Sequence, residues 1–107
     1  MKLNLIENII VGEYGAPVFL QLVDGRSDPI DISSYTTREV LLRSPDSLKT
    51  ITYTAPLFFT GEDGKIYFTP ASGDIDREGE WTGMIRLTAT GIVTKSEHIR
   101  MIVQNTL

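Results

Sequence analysis

The hydrophobic and polar positions of this chain alternate in steps of two over most of its length. In APVFLQLVDG, Val18, Leu20 and Leu22 fall on one side of an extended segment, and Asp24-Gly25 supplies a turn. After Pro29, IDISSY sets Ile30 and Ile32 against Asp31, which predicts a further short strand. TREVLLRSPD places Val40 and Leu42 opposite Glu39 and Arg43 and ends in a Ser-Pro-Asp turn. KTITYTA alternates threonines with Ile51 and Tyr53, a density of β-branched residues that favours the pleated conformation. GEDGKIYFTP offers an Asp63-Gly64 turn before Ile66 and Phe68, and ASGDIDREG is the longest polar connection. Trp81, Gly83, Ile85 and Leu87 then share one face, with Thr82, Met84, Arg86 and Thr88 on the other. A hairpin at Ala89 to Ile92 leads into a last strand in which Ile99, Met101 and Val103 alternate with His98, Arg100 and Gln104.

About seven short strands separated by turn signals predict an all-β protein, a single antiparallel β-sandwich or small barrel. The expected core comprises Val18, Leu20, Leu22, Ile32, Val40, Leu42, Ile66, Phe68, Trp81, Ile85 and Leu87. Trp81 sits in phase with Ile85 and Leu87, so it reads as a core anchor and not as a stacking platform. No linker, repeat or low-complexity segment divides the chain. One domain over residues 1–107 is expected, with 1–11 as an N-terminal arm or edge strand and 12–104 as the sandwich.

Composition changes this picture little. A length of 107 residues with 41% apolar and 22% charged positions suits one domain that buries roughly two thirds of its unfolded surface. With no cysteine there is no disulfide framework, thiolate metal site or cysteine nucleophile. A formal charge of -4 argues against a phosphate backbone as partner. The N-terminal MKLNLIENIIVG is interrupted by Asn4, Glu7 and Asn8, which argues against a signal peptide or a membrane span.

The one acidic motif is DIDREG. Asp74, Asp76 and Glu78 followed by Gly79 match the first half of a calcium loop, but its twelfth position, where a bidentate Glu belongs, is Ile85 in an alternating strand. An acidic solvated loop is the favoured reading and no metal is expected. His98 is the only histidine and lacks an orienting partner in the sequence, so it reads as a surface residue. No phosphate loop, nucleophile elbow or zinc-protease motif occurs. No catalytic activity, cofactor or small-molecule substrate is expected.

The stretch APLFFT breaks the alternation. If it is a strand of a sheet buried on one face, one of Leu57, Phe58 and Phe59 must turn outward, and aromatic residues are enriched at interface cores. With it goes the arm, where Leu3, Leu5, Ile9 and Val11 could add an extended segment to a neighbour's sheet edge. Leu3, Leu5, Ile9, Leu57, Phe58 and Phe59 are therefore the expected partner interface.

Taken in order, Gly15-Ala16-Pro17 before an apolar strand, LVDG, PIDISSY, LLRSPD, EDGKIYFTP and GEWTGMIRLT resemble the immunoglobulin-like N-terminal domain of the phage baseplate upper protein family. The likeness spans about Gly12 to Val103, with Ile30-Asp31-Ile32-Ser33 a conservative departure. It implies an immunoglobulin-like sandwich that serves as a structural component of a tailed-phage virion, assembled in the host cytoplasm. The expected partners are other virion proteins of the tail or baseplate, in a homo-oligomeric or multi-copy assembly. Family members often continue into a fibre or adaptor region, whereas this sequence stops at Leu107. That makes a decoration protein of the head shell the alternative expectation.

Overall fold

Alternation is translated directly into strands with one buried face. A computed structural model describes residues 2–5, 9, 10, 12, 14–96 and 98–104, of which 2–5, 9, 10 and 99 enter through their backbone pairing. The strands are β1 (Lys2–Leu5), β2 (Ile9–Ile10), β3 (Val18–Val23), β4 (Thr37–Arg43), β5 (Thr50–Thr54), β6 (Lys65–Phe68), β7 (Gly79–Ala89), β8 (Ile92–Lys95) and β9 (Ile99–Gln104). No helix occurs among the described residues.

The strands form two sheets, a small one in the order β1-β3-β6 and a large one in the order β2-β9-β7-β4-β5, with β8 also on β7. Leu20, Leu22, Ile66 and Phe68 of the small sheet meet Val40, Leu42, Trp81, Ile85, Leu87, Met101 and Val103 of the large one in a single core. The chain is thus an all-β sandwich, and all eleven expected core residues are buried.

Nine strands are described instead of about seven, because the arm adds two and the last strand is divided, while one expected strand is missing. The N-terminal arm contributes both β1, antiparallel to β3, and β2, parallel to β9, so it ties the two sheets together. Among the described residues the β2–β9 pair is the one parallel pairing, the other ladders being antiparallel. The last strand is split around Ser96. Before the split Arg86 faces Lys95, and after it Gly83 faces Ile99, a one-residue change of register that marks a β-bulge. Ser96 holds the break closed: its N–H donates to the Ile85 carbonyl at 2.8 Å and its Oγ accepts from the Ile85 N–H at 2.8 Å.

The strand expected at Ile30 to Tyr35 is absent. Residues 30–35 pair in no ladder, and the nearest bridge joins Pro29 to Val23. Asp31 explains this, because its Oδ1 accepts from the Ser33 N–H at 2.9 Å and from Ser33 Oγ at 2.7 Å, a local turn that competes with ladder pairing. Ile32 still reaches the core, anchored by its N–H to the Gly61 carbonyl at 3.0 Å. The APLFFT segment, described below, forms no strand either. Ile75, within the polar connection, is also buried and closes the core from that side.

Candidate docking surface

After β5 the chain does not form another strand but runs beside β6 and covers its outer edge. The Tyr67 N–H donates to the Pro56 carbonyl at 3.2 Å and the Phe58 N–H to the Lys65 carbonyl at 3.0 Å, with Leu57 bridged to Ile66 between them. Ala55 is fully buried, and the Arg38 guanidinium donates from Nε to its carbonyl at 3.0 Å. An edge that would otherwise present free amides is thereby closed. The turn that follows depends on Gly64, at φ 74°, where a Cβ would collide with the Leu22 carbonyl oxygen.

This edge segment leaves a ridge of aromatic rings on the outside of the small sheet. Phe19 of β3 and Tyr67 of β6 face each other across the ladder on the outward parity, with centroids 5.8 Å apart. Phe58 packs edge-on against Phe19 at 5.1 Å, and Phe59 lies 4.3 Å from Phe58. Leu57 and Phe58 are half-buried, so the residue turned outward is Phe59, at 82% exposure. Phe59 also holds φ at 59°, the left-handed region that costs a side-chain-bearing residue about 1–2 kcal/mol. A glycine would make this turn at lower cost, and the ring of Phe59 contributes almost nothing to the core. Phe19 and Tyr67 were not among the expected interface residues. Their signal was present as large aromatics at positions where the strand period calls for polar ones.

The other expected interface residues are placed differently. Leu3 and Leu5 are paired through their backbone with Leu22 and Leu20, and Ile9 with Val103. The arm is thus paired within the fold along one side, as an edge strand of each sheet. The side chains of Leu3, Leu5 and Ile9, and Val11 altogether, lie outside the described residues.

The acidic loop is wired into the sandwich by its own carboxylates. Asp74 Oδ2 accepts from Tyr53 Oη at 2.6 Å and from the Ala71 N–H at 3.0 Å. Burial, reinforced by that bond, pushes the Tyr53 hydroxyl above its ordinary range. Asp76 bonds Arg77 Nε at 2.8 Å and lies 3.3 Å from Lys49 Nζ. These partners, Arg77 first, hold its carboxyl at about 2. Arg77 reaches on to Asp46 at 2.6 Å and gives its carbonyl to the Trp81 indole N–H at 3.0 Å. Asp46 is itself held low by its bond from Ser44 Oγ at 2.6 Å and by the Leu48 N–H. Glu78 is exposed. Among the described residues no group of three His, Asp or Glu side chains stands close enough to hold a metal ion.

His98 is exposed at the rim of a shallow groove of about 210 Å³ on the outside of the large sheet, beside Leu41, Arg43, Thr50, Thr82 and Met84. Among the described residues no carboxylate lines this groove. No helix among the described residues is long and apolar enough to cross a membrane. No known protein-family model matches the sequence, and no curated protein matches it.

Proposed function

We propose that this chain is a non-catalytic docking module of a tailed-phage virion, an immunoglobulin-like sandwich seated in the tail or baseplate through the aromatic ridge of Phe58 and Phe59. The observation that carries the docking role is Phe59: a large ring held 82% exposed, on a backbone conformation unfavourable to it, next to three further aromatic rings. Aromatic anchors surrounded by weaker contacts are what interface hot spots are made of. The virion setting rests on the run of short motifs from Gly15 to Thr88.

The test is Phe59→Asp. Because Phe59 contributes so little to the core, the isolated variant should keep the circular dichroism of the parent. Incorporation into purified particles should fall, with a loss of at least about 2 kcal/mol in assembly, the threshold of a hot spot. Comparing tails with heads from the same preparation also separates baseplate docking from decoration of the shell. A folded variant that enters particles as well as the parent overturns the assignment of this ridge.

A further inference from the structure

We propose that the outer edge of β5 pairs with the β5 of a second copy, joining two large sheets into one across a two-fold axis through Thr52. This rests on no part of the virion reading. β5 closes one side of the large sheet, and among the described residues it pairs only with β4. The direction of its backbone groups follows from the ladder. The Ala55 N–H donates to the Arg38 carbonyl at 2.8 Å and the Ser44 N–H to the Lys49 carbonyl at 2.9 Å, both in the register of β4 and β5. Hydrogen-bonded and non-bonded pairs alternate in an antiparallel ladder, so Ile51 and Tyr53 spend their amides and carbonyls on β4. Thr50, Thr52 and Thr54 therefore turn theirs outward, and no partner for them occurs among the described residues.

The edge carries none of the features that keep sheets apart. TITYT contains no proline, no charge and no glycine, and it is unbroken by a bulge. The small sheet differs, since the segment from Pro56 to Phe58 covers its β6 edge.

The sequence of β5 matches itself in the antiparallel sense. Only even-numbered residues can form hydrogen-bonded pairs across the new ladder, which sets Thr52 against Thr52 of the second copy and Thr50 against its Thr54. The exposed face then carries threonine pairs able to bond through their hydroxyls. On the inner face, half-buried Ile51 meets the second copy's Tyr53, and Tyr53 its Ile51, pairings of aromatic with β-branched side chains that stabilise sheets. Both residues already pack against the core, so the pairing lengthens that core. Five residues bury far less than the roughly 1,600 Å² of a standard interface, so the dimer should be concentration-dependent.

Because the chain has no cysteine, single thiols can be placed without interference. Under mild oxidation Thr52→Cys should form a disulfide-linked dimer, since partners in such a pair lie about 5.5 Å apart at Cα, within disulfide reach. Thr50→Cys alone should not, whereas Thr50→Cys with Thr54→Cys should. In sedimentation equilibrium the parent should dimerise as its concentration rises. Thr52→Pro removes the central N–H and should weaken the dimer by about tenfold or more, with fold checked by circular dichroism. Should proline disturb β4, Thr52→Lys sets like charges face to face and serves the same purpose. A parent that stays monomeric to millimolar concentration overturns the proposal. So does a dimer unaffected by either substitution, or equal cross-linking of Thr50→Cys and Thr52→Cys.

Discussion

Two aromatic residues, Trp81 and Phe59, mark opposite extremes of this small sandwich. Trp81 is fully buried and gives its indole N–H to the Arg77 carbonyl, so even its polar atom is satisfied inside the fold. Phe59 is largely exposed, and its backbone is held in the left-handed region. Local geometry produces the difference. Trp81 falls on the buried parity of β7, the longest strand, where the ladder dictates which side each residue faces. Phe59 follows the last bridge of the edge segment, in a turn that imposes no such choice. Aromatic character alone therefore assigns no role; position relative to a ladder does.

That contrast predicts very different responses to truncation. Trp81→Ala leaves a large cavity between the sheets and an unpartnered Arg77 carbonyl. It should cost about 3–5 kcal/mol in urea unfolding, enough to bring a domain of this size close to unfolding. Retention of most of the stability would mean that the sheets can close over the gap, and the contrast would fail.

The clasp of Asp46, Asp76 and Arg77 beneath Trp81 should give a smaller, pH-dependent effect. Asp76 is depressed in the folded protein to about 2 from an ordinary 3.8, so its contribution is complete above about pH 4 and lost as the pH falls towards 2. The urea midpoints of the parent and of Asp76→Asn should therefore differ most above pH 4 and converge below it. A constant difference across that range would show that the carboxylate does not titrate through the clasp.

Phe59→Gly should have the smallest effect on the fold. Relief at the positive φ offsets the loss of contact with Phe58, so stability should stay within about 1 kcal/mol of the parent. Together with reduced incorporation into particles, an unchanged melting temperature would separate docking from folding at one position. A marked drop would instead place Phe59 among the structural residues and remove the contrast with Trp81.

Legibility in the sequence followed the same rule. β3, β4, β5 and β7 could be read because each has one wet and one dry face, and the resulting period fixed Trp81, Ile85 and Leu87 as core. Ile75 escaped notice because it stands alone in a polar connection, with no neighbour at a fixed period to reveal its burial. The strand expected at Ile30 to Tyr35 failed because Asp31 diverts the backbone into a local turn, an effect that alternation does not register. In APLFFT, the break in period singled out Leu57, Phe58 and Phe59 as residues of which one turns outward from a strand, but the segment is no strand and the outward residue is set by the turn at Phe59. Phe19 and Tyr67, distant in sequence, meet only because of the β3–β6 register, which no local pattern specifies.

The parallel pairing of β2 with β9 has a mechanical consequence. Ile9 and Ile10 run alongside Val103 and Gln104 in the same direction. A pull separating the N-terminal end of β2 from the C-terminal end of β9 therefore slides the two strands along each other. It loads their hydrogen bonds together, as a lap joint is loaded, instead of opening them one at a time as in a zip. Tension carried from β2 to β9 thus meets its resistance at these four residues, on the side of the large sheet opposite β5.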